Sequence, residues 1–423
     1  LDHPGVRADV AAYVAAATAR AARHASSSSS VAWHSIDLGS ELQDGLCLCP
    51  HTQGRFRDWL KATTGSAEPT AARAPADAAT FVALERRDHL AVLTGAAAAR
   101  GMRVSTSGAD APSVLRQLTS RPSDRPGQDD WLMTTVVDHY GTFLPPQLVD
   151  GGSLTPTQLA LALDGLRSAV RDKGWLATDA SLSPNARTDV SAADERLWTW
   201  LAVSRGARGV TFGDWRASGN RASTSLVGPD GTISNRARAA GGLARVIGRN
   251  PALFAPLKPR PARIAIVYDP RSPMDASSPV AVSLSTVYRA LFERNIQVDF
   301  IHLDEIAAGV VSRYTVVVVG LPSTLPQPAA DALKAHVAAG GAVISGSTPV
   351  PTDRQIAEAV ARAGVRPDVR IEGASGPVET RFLESSDVLL LIGLNYAATP
   401  QRVTLTFTLD TQEAIWQNME TGA

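Results

Sequence analysis

The chain lacks several features that would point to a particular class of protein. Its 423 residues include only two cysteines, Cys47 and Cys49, which lie too close together to form a disulfide framework. The 41 basic residues balance the 41 acidic ones, so the charge gives no sign of nucleic-acid binding. No apolar run has membrane-spanning length, and residues 1–30 lack the apolar core of a signal peptide. We therefore expect a cytoplasmic globular protein with no nucleic-acid and no membrane partner.

The first 250 residues alternate helical patterns with short apolar segments, which is typical of parallel βα units. A capping box at 155–158, followed by an apolar stripe from Leu159 to Val170, predicts one of the helices. Strands are predicted at 31–37, 102–107, 132–138, 175–179 and 208–213.

Five strands are too few for a (β/α)8 TIM barrel, which has eight. Residues 1–250 are therefore either not a barrel, or a partial TIM-barrel catalytic domain whose first three strands are missing from this sequence. The family resemblance described below favours the second interpretation.

After a proline-rich linker at 251–262 the alternation of strands and helices starts again. It predicts an open, flavodoxin-like doubly wound α/β domain at 263–372. From 376 to 423 the helical patterns stop, and the segments VETRFLE, VLLLIGLNY and QRVTLTFTL predict a small antiparallel β domain. The strands of the α/β domain are predicted at 263–269, 297–303, 314–320 and 342–347.

The α/β domain lacks the motifs of two common functions of such sheets. No Gly-x-Gly-x-x-Gly turn follows its first strand, which argues against a dinucleotide site. Its strand and helix order is similar to that of class I glutamine amidotransferases, but no cysteine beyond position 49 is present to act as their nucleophile. An interaction role is the simpler interpretation.

Two carboxylates follow predicted strands of the first region. Glu41 comes shortly after strand 31–37, and Asp179 ends strand 175–179. Barrel enzymes keep their active sites at the carboxyl ends of the strands, although Glu41 would equally suit a cap of the following element. The aromatic residues Tyr140 and Trp215 also fall near predicted strand ends, where they would line a sugar site or pack in the core.

The order and spacing of these motifs resemble glycoside hydrolase family 42 β-galactosidases. The resemblance covers nearly the whole chain, and residues 263–372 resemble the family's trimerisation domain. It is carried by the segments Trp33–Glu41, Leu46–Pro50, Phe56–Leu60, Asp138–Thr142, Arg196–Trp200, Arg205–Val210, Trp215-Arg216, Gly228–Gly231 and Ala265–Pro270.

The resemblance implies retaining cleavage of a terminal β-galactoside or related β-glycoside, with Glu41 as acid/base and Asp179 as nucleophile. It also implies that Ser40 contacts the sugar, that the substrate is a carbohydrate and that the protein is a homotrimer. From their positions at strand ends we assign Tyr140 and Trp215 to the same sugar site, and we expect no cofactor. Ser40 stands where the family has Asn, and Asp179 stands where it has Glu. The alternative is therefore a catalytically silent pseudo-glycosidase that acts as a sugar-binding or oligomeric scaffold.

The two cysteines resemble two of the four ligands of a zinc site found in some members of the family. Thr52 stands at the position of a third ligand, and structural zinc is normally held by four ligands. We therefore predict no metal at Cys47 and Cys49.

Overall fold

The computed structural model describes most of the chain from residue 155 onwards and parts of the chain before it. Its described residues fall into two compact units, which comprise 1–142, 169–174 and 269–278 in the first, and 143–168, 175–268 and 279–423 in the second. The described residues are 49–70, 155–170, 175–178, 191–212, 215–216, 225–268, 279–320, 325–345, 352–397 and 399–409, the segments 35–37, 103–108 and 139–143, and scattered positions within 8–19 and 74–95.

The first unit contains parallel strands and one well-defined helix. Strand β1 (Ser35–Asp37) pairs in parallel with β2 (Arg103–Gly108), and β2 pairs in parallel with β3 (His139–Phe143). Helix α1 (Pro50–Thr64) starts on a proline and ends at Gly65, whose φ of 77° is in the left-handed region that glycine adopts without strain. Its apolar face packs Phe56, Trp59 and Leu60 with Phe81.

The second unit begins with further βα elements. Helix α2 (Pro156–Val170) starts at the predicted capping box, where Thr155 and Gln158 hydrogen-bond each other's backbone N–H groups. Helix α3 starts at a second capping box, formed by Ser191 and Asp194. Strands β4 and β5 are parallel. The remaining bounds are β4 (Trp175–Thr178), α3 (Ala192–Ser204), β5 (Ala207–Thr211), α4 (Asn235–Arg249) and α5 (Pro251–Phe254).

The structure confirms four of the five strands predicted for residues 1–250. The third described strand is β3 at His139–Phe143, whereas the predicted segment 132–138 lies outside the described residues. Tyr140 is consequently inside a strand rather than beyond its end. The described strands of this region do not form a closed barrel.

The α/β sheet of the second unit is parallel, with the strand order β10-β9-β7-β8. Because β7, the first strand in sequence, has neighbours on both sides, the sheet is doubly wound as predicted. Apolar runs such as Val316–Val319 are buried throughout, as expected for a parallel sheet covered by helices. The bounds are β7 (Ile264–Tyr268), α6 (Pro279–Phe292), β8 (Val298–His302), α7 (Leu303–Ala307), the 3-10 helix Val310–Arg313, β9 (Val316–Val319), α8 (Gln327–Ala338), β10 (Ala342–Ser345) and α9 (Asp353–Arg362).

The predicted linker and the C-terminal strands form antiparallel pairs. Within the linker 251–262, β6 (Lys258–Pro259) pairs with β12, which also pairs with β13. Strand β11 pairs with β14. The bounds of the C-terminal strands are β11 (Val369–Glu372), β12 (Val378–Glu384), β13 (Leu389–Asn395) and β14 (Thr404–Phe407).

Four charged side chains are buried together between α2, the end of α3 and strand β12. One oxygen of Asp164 accepts hydrogen bonds from Nη2 of Arg381 and from the hydroxyl of Tyr288, both at 2.6 Å. Nε of Arg205 lies 3.3 Å from the other oxygen of Asp164. Glu379 accepts from Arg205 at 2.7 Å and from Arg381 at 2.5 Å. We call Asp164, Arg205, Glu379 and Arg381 the buried charge cluster.

Two tyrosine hydroxyls donate hydrogen bonds to the carboxylates of this cluster. Tyr396 donates to the second oxygen of Glu379 at 2.7 Å, as Tyr288 does to Asp164. Burial alone would raise the pKa of each carboxyl, but the guanidinium groups of Arg205 and Arg381 outweigh it and hold the pKa of both Asp164 and Glu379 below its ordinary value. Both acids are therefore ionised in the folded chain.

The lowered pKa values fix the sign of the pH dependence. A carboxyl whose pKa is lower in the folded chain than in the unfolded chain stabilises the fold at pH values above its unfolded pKa, roughly 4. This stabilisation is lost as the pH falls through the pKa of the folded chain. The cluster is consequently fully effective at neutral pH.

A further ion pair extends the cluster to the α/β sheet. Arg167, one turn along α2 from Asp164, lies 2.6 Å from a carboxylate oxygen of Asp299 on β8 and donates to the carbonyl of Val298 at 2.5 Å. Ser168 accepts from the N–H of Phe300 at 2.8 Å. Helix α2 is thereby held against β8 by polar contacts as well as by packing.

We predict that Asp164→Ala lowers the free energy of unfolding by about 3–5 kcal/mol, because two buried guanidinium groups then share Glu379 as their one remaining carboxylate within the cluster. Urea denaturation measures the change. The control is Asp331→Ala, which removes an exposed carboxylate 3.6 Å from Lys334 and should cost less than about 1 kcal/mol. Equal losses in the two variants would contradict a stabilising role for the buried cluster.

Candidate functional site

The strands that precede the two predicted catalytic carboxylates are both described. Strand β1 ends at Asp37, three residues before Ser40 and four before Glu41, and β4 ends at Thr178, directly before Asp179. Ser40, Glu41 and Asp179 themselves lie outside the described residues.

Both strands run parallel to a neighbour, which fixes the edge at which the next residues follow. Asp37 on β1 is opposite Ser105 on β2, and Thr178 on β4 is opposite Thr211 on β5. In a parallel βα array, residues that follow the carboxyl ends of strands emerge at the edge where active sites are built. The described strands that precede the two predicted carboxylates therefore each end at such an edge.

Tyr140 is the second residue of β3 and pairs with Thr106 of β2. Tyr140 is therefore a residue of a paired strand and not of the loop that follows one. The prediction placed Tyr140 after a strand at 132–138, and the strand at His139–Phe143 changes that position.

Trp215 lies in the segment that follows β5, and 73% of its surface is exposed. Its carbonyl accepts the N–H of Val227 at 2.8 Å, and its neighbour Arg216 pairs with Val227 in an isolated parallel bridge. The guanidinium of Arg216 donates to the carbonyl of Pro229 at 3.0 Å. The backbone at Trp215 is thus held while its ring remains open to solvent, and an exposed indole at this edge can stack on a sugar ring.

The residues that hold this segment form a tight turn. Gly228 accepts from Gly231 at 3.0 Å, and Gly231 has a φ of 85°, which requires glycine. Asp230 accepts from the hydroxyl and the N–H of Thr232, which lowers the pKa of its carboxyl. A Cβ at Gly228 would lie 2.7 Å from a carboxylate oxygen of Asp230, so this turn also needs glycine there. The sequence motif Gly-Pro-Asp-Gly is therefore the support of the Trp215 segment.

Cys49 is the N-cap residue of α1, and its Sγ lies 3.1 Å from the hydroxyl of Thr52, with which it shares a hydrogen bond. Cys47 lies outside the described residues. Across the part of the chain that the structure describes, no three His, Cys, Asp or Glu side chains converge as metal ligands. The described helices also include none long and apolar enough to cross a membrane.

The buried charge cluster is the feature that the sequence did not predict. A signal for it is present in α2, where Asp164 interrupts the apolar sequence ALALDGL. All of its donors and acceptors are enclosed by protein, so its role is structural.

Neither a protein-family model nor a curated protein matches the sequence. Among solved structures, the chain is similar to the β-galactosidase of Bacillus circulans sp. alkalophilus, with a TM-score of 0.63 and 16% identity over 81% of this chain and 55% of that one. It is similar to the cold-adapted β-galactosidase of Rahnella sp. R3, with a TM-score of 0.61 and 17% identity over 96% of this chain and 66% of that one.

A third similar structure is a catalytic mutant of a GH42 β-galactosidase from G. stearothermophilus, with a TM-score of 0.53 and 14% identity over 86% of this chain and 60% of that one. The chain thus spans between 55% and 66% of the length of these three structures. At this level of identity the likeness concerns the fold. The chain has the fold of the β-galactosidases of glycoside hydrolase family 42.

Proposed function

We propose that the protein hydrolyses a terminal β-galactoside or a related β-glycoside with retention, with Glu41 as the acid/base and Asp179 as the nucleophile. The observation that carries this proposal is that Glu41 comes four residues after a parallel strand and Asp179 comes directly after another, in a chain with the fold of family 42 β-galactosidases. Paired carboxylates are what glycoside hydrolysis requires.

The reaction assigns a different task to each carboxyl group. Glu41 donates a proton to the leaving glycosidic oxygen while the carboxylate of Asp179 attacks the anomeric carbon and forms a covalent glycosyl-enzyme. Glu41 then takes a proton from the water that attacks the same carbon, which releases the sugar and frees Asp179. Ser40, one residue before the acid, hydrogen-bonds a sugar hydroxyl.

The length of the Asp179 side chain sets the expected rate. Asp has one methylene fewer than Glu, so we expect the two carboxyl groups to lie farther apart than the roughly 5–5.5 Å of a retaining pair. A misplacement of about 1 Å can cost on the order of 100-fold in rate. We therefore expect slow hydrolysis.

We predict that Asp179→Glu in the full-length protein raises kcat/KM for 4-nitrophenyl β-galactoside by on the order of 100-fold, and that Glu41→Gln abolishes hydrolysis. The matched control is Asp331→Glu, the same change at an exposed surface position, which should leave the rate unaltered. Nitrophenolate release measures all three.

Two outcomes would overturn parts of this proposal. If Asp179→Glu leaves the rate unchanged while Glu41→Gln abolishes it, Asp179 is not the nucleophile. If neither substitution matters, the chain is not a glycosidase, and the scaffold alternative, which Ser40 and Asp179 favour, replaces it.

The exposed ring of Trp215 gives a second test. We predict that Trp215→Ala raises KM about two- to tenfold, which corresponds to the loss of one aromatic stacking contact. Because the ring is exposed, the thermal midpoint should stay nearly constant. The control is Tyr13→Ala, which removes an equally exposed aromatic ring. An unchanged KM would remove Trp215 from the sugar site.

We also propose that residues 263–372 carry the subunit contact of a cytoplasmic homotrimer. The resemblance to the family's trimerisation domain supports this, together with the doubly wound sheet found there. Light scattering at micromolar concentration should give three times the 44.4 kDa chain mass. A monomer mass for the full chain would dismiss the trimer.

A further inference from the structure

A polar cavity of about 480 Å³ opens where β7 and β8 begin, at the edge of the α/β sheet opposite the carboxyl ends of its strands. Its size is within the range of small-molecule sites. Its walls come from the segment before β7, the turn before β8, the chain between α9 and β11, and β12. Three arginines, Arg260, Arg263 and Arg366, line it together with two acids, Asp368 and Glu384.

The two acids of the cavity are already engaged by one arginine. Arg260 lies 3.3 Å from a carboxylate oxygen of Asp368 and 3.3 Å from one of Glu384. Its own backbone is fixed, because its N–H donates to the carbonyl of Phe382 at 3.0 Å and its carbonyl accepts from Gln297 at 2.5 Å. These contacts position Arg260 and neutralise most of the negative charge.

The other two arginines retain free capacity to bind an anion. Arg263 has a single long ion contact, 3.9 Å to Asp368, and about half of its side chain is exposed. It donates to the backbone carbonyl of Arg366 at 2.8 Å, which brings the two residues together. The side chain of Arg366 is exposed and makes no ion pair with a described residue. Three guanidinium groups against two carboxylates leave one positive charge in excess.

The wall of the cavity is held by a strained residue. Asn295 has a φ of 55°, the one left-handed backbone among the described residues other than glycine. Its side-chain amide donates to the carbonyl of Val369 at 3.0 Å, and its oxygen accepts the N–H of Thr380 at 2.9 Å. Such conformations persist where the surroundings hold them, often at binding sites. Asn295 thus ties the turn before β8 to β11 and β12 on the far side of the cavity.

From this arrangement we infer that the cavity binds a small polar anion whose oxyanion group, a phosphate, sulfate or carboxylate, lies between Arg263 and Arg366. A planar guanidinium can donate two parallel hydrogen bonds to such a group. A cation is disfavoured because both acids are paired with Arg260. The inference is independent of the proposed hydrolysis, since none of its residues belongs to that site.

The test is isothermal titration of the full chain at low ionic strength with inorganic phosphate, sulfate and gluconate, and with glucitol as the neutral control. At least one of the three anions should bind with one-to-one stoichiometry, and glucitol should not bind. Which anion binds most tightly identifies the oxyanion group and whether it belongs to a free ion or to a sugar acid.

Two variants and one control locate the binding. Arg366→Gln and Arg263→Gln should each lower the affinity at least tenfold, and both should fold because neither side chain is buried. Arg354→Gln makes the same change of charge at an exposed position on α9, where the arginine pairs with Glu358, and should leave the affinity unchanged. Failure of all three anions to bind, or equal loss of affinity in the three variants, would overturn the inference.

Discussion

The buried charge cluster is the constraint on which the second unit depends. Asp164 is on a helix of the βα region, Arg205 follows the next helix, and Glu379 and Arg381 are on a C-terminal strand. Burying any one of these charges alone would cost several kcal/mol. The charges are therefore buried favourably only when the two helices and the C-terminal strand that carry them have come together. The four groups therefore require one arrangement of those segments, whereas apolar packing tolerates many.

The tyrosines and the second ion pair show how this requirement extends through the unit. Tyr288 comes from the α/β domain and Tyr396 from the C-terminal strands, and each completes one carboxylate. Arg167 and Ser168 continue the polar contact to β8. Since Asn295 and Arg260 also bond across from the α/β elements to β12, the anion-binding cavity has walls from elements whose arrangement the cluster fixes.

Hydrophobic periodicity and capping were sufficient to predict most of the elements. The strands of the α/β sheet are continuous apolar runs, and such runs are recognisable because both faces of a parallel sheet are covered. Strand β6 could not be predicted, since Lys258-Pro259 has no strand pattern and pairs only because β12 offers an edge. Strand β3 was also not predicted at its actual position, because its sequence HYGTF is less apolar than the segment before it.

Part of the candidate site could likewise be predicted from the sequence, and part of it could not. Its carboxylates are predicted from the resemblance and from their position after strands in the sequence, which is local information, and they remain a prediction. Trp215 was predicted at a strand end, but its exposure and its support by the Gly228–Thr232 turn depend on backbone conformation that composition does not encode. The buried charge cluster was not predicted because charged residues are ordinarily exposed, and because its partners are far apart in sequence.

That separation has a consequence for how the protein is made. Asp164 and Arg381 are 217 residues apart, and Arg205 and Glu379 are 174 apart. At translation rates of roughly 5–20 residues per second, a nascent chain waits about 10–40 s between the emergence of Asp164 and that of Arg381. During this interval the helices that carry Asp164 and Arg205 cannot bury their charges with the full set of partners. The interior of the second unit is thus completed only after Arg381 has been synthesised, and until then the ribosome-bound chain needs protection from aggregation.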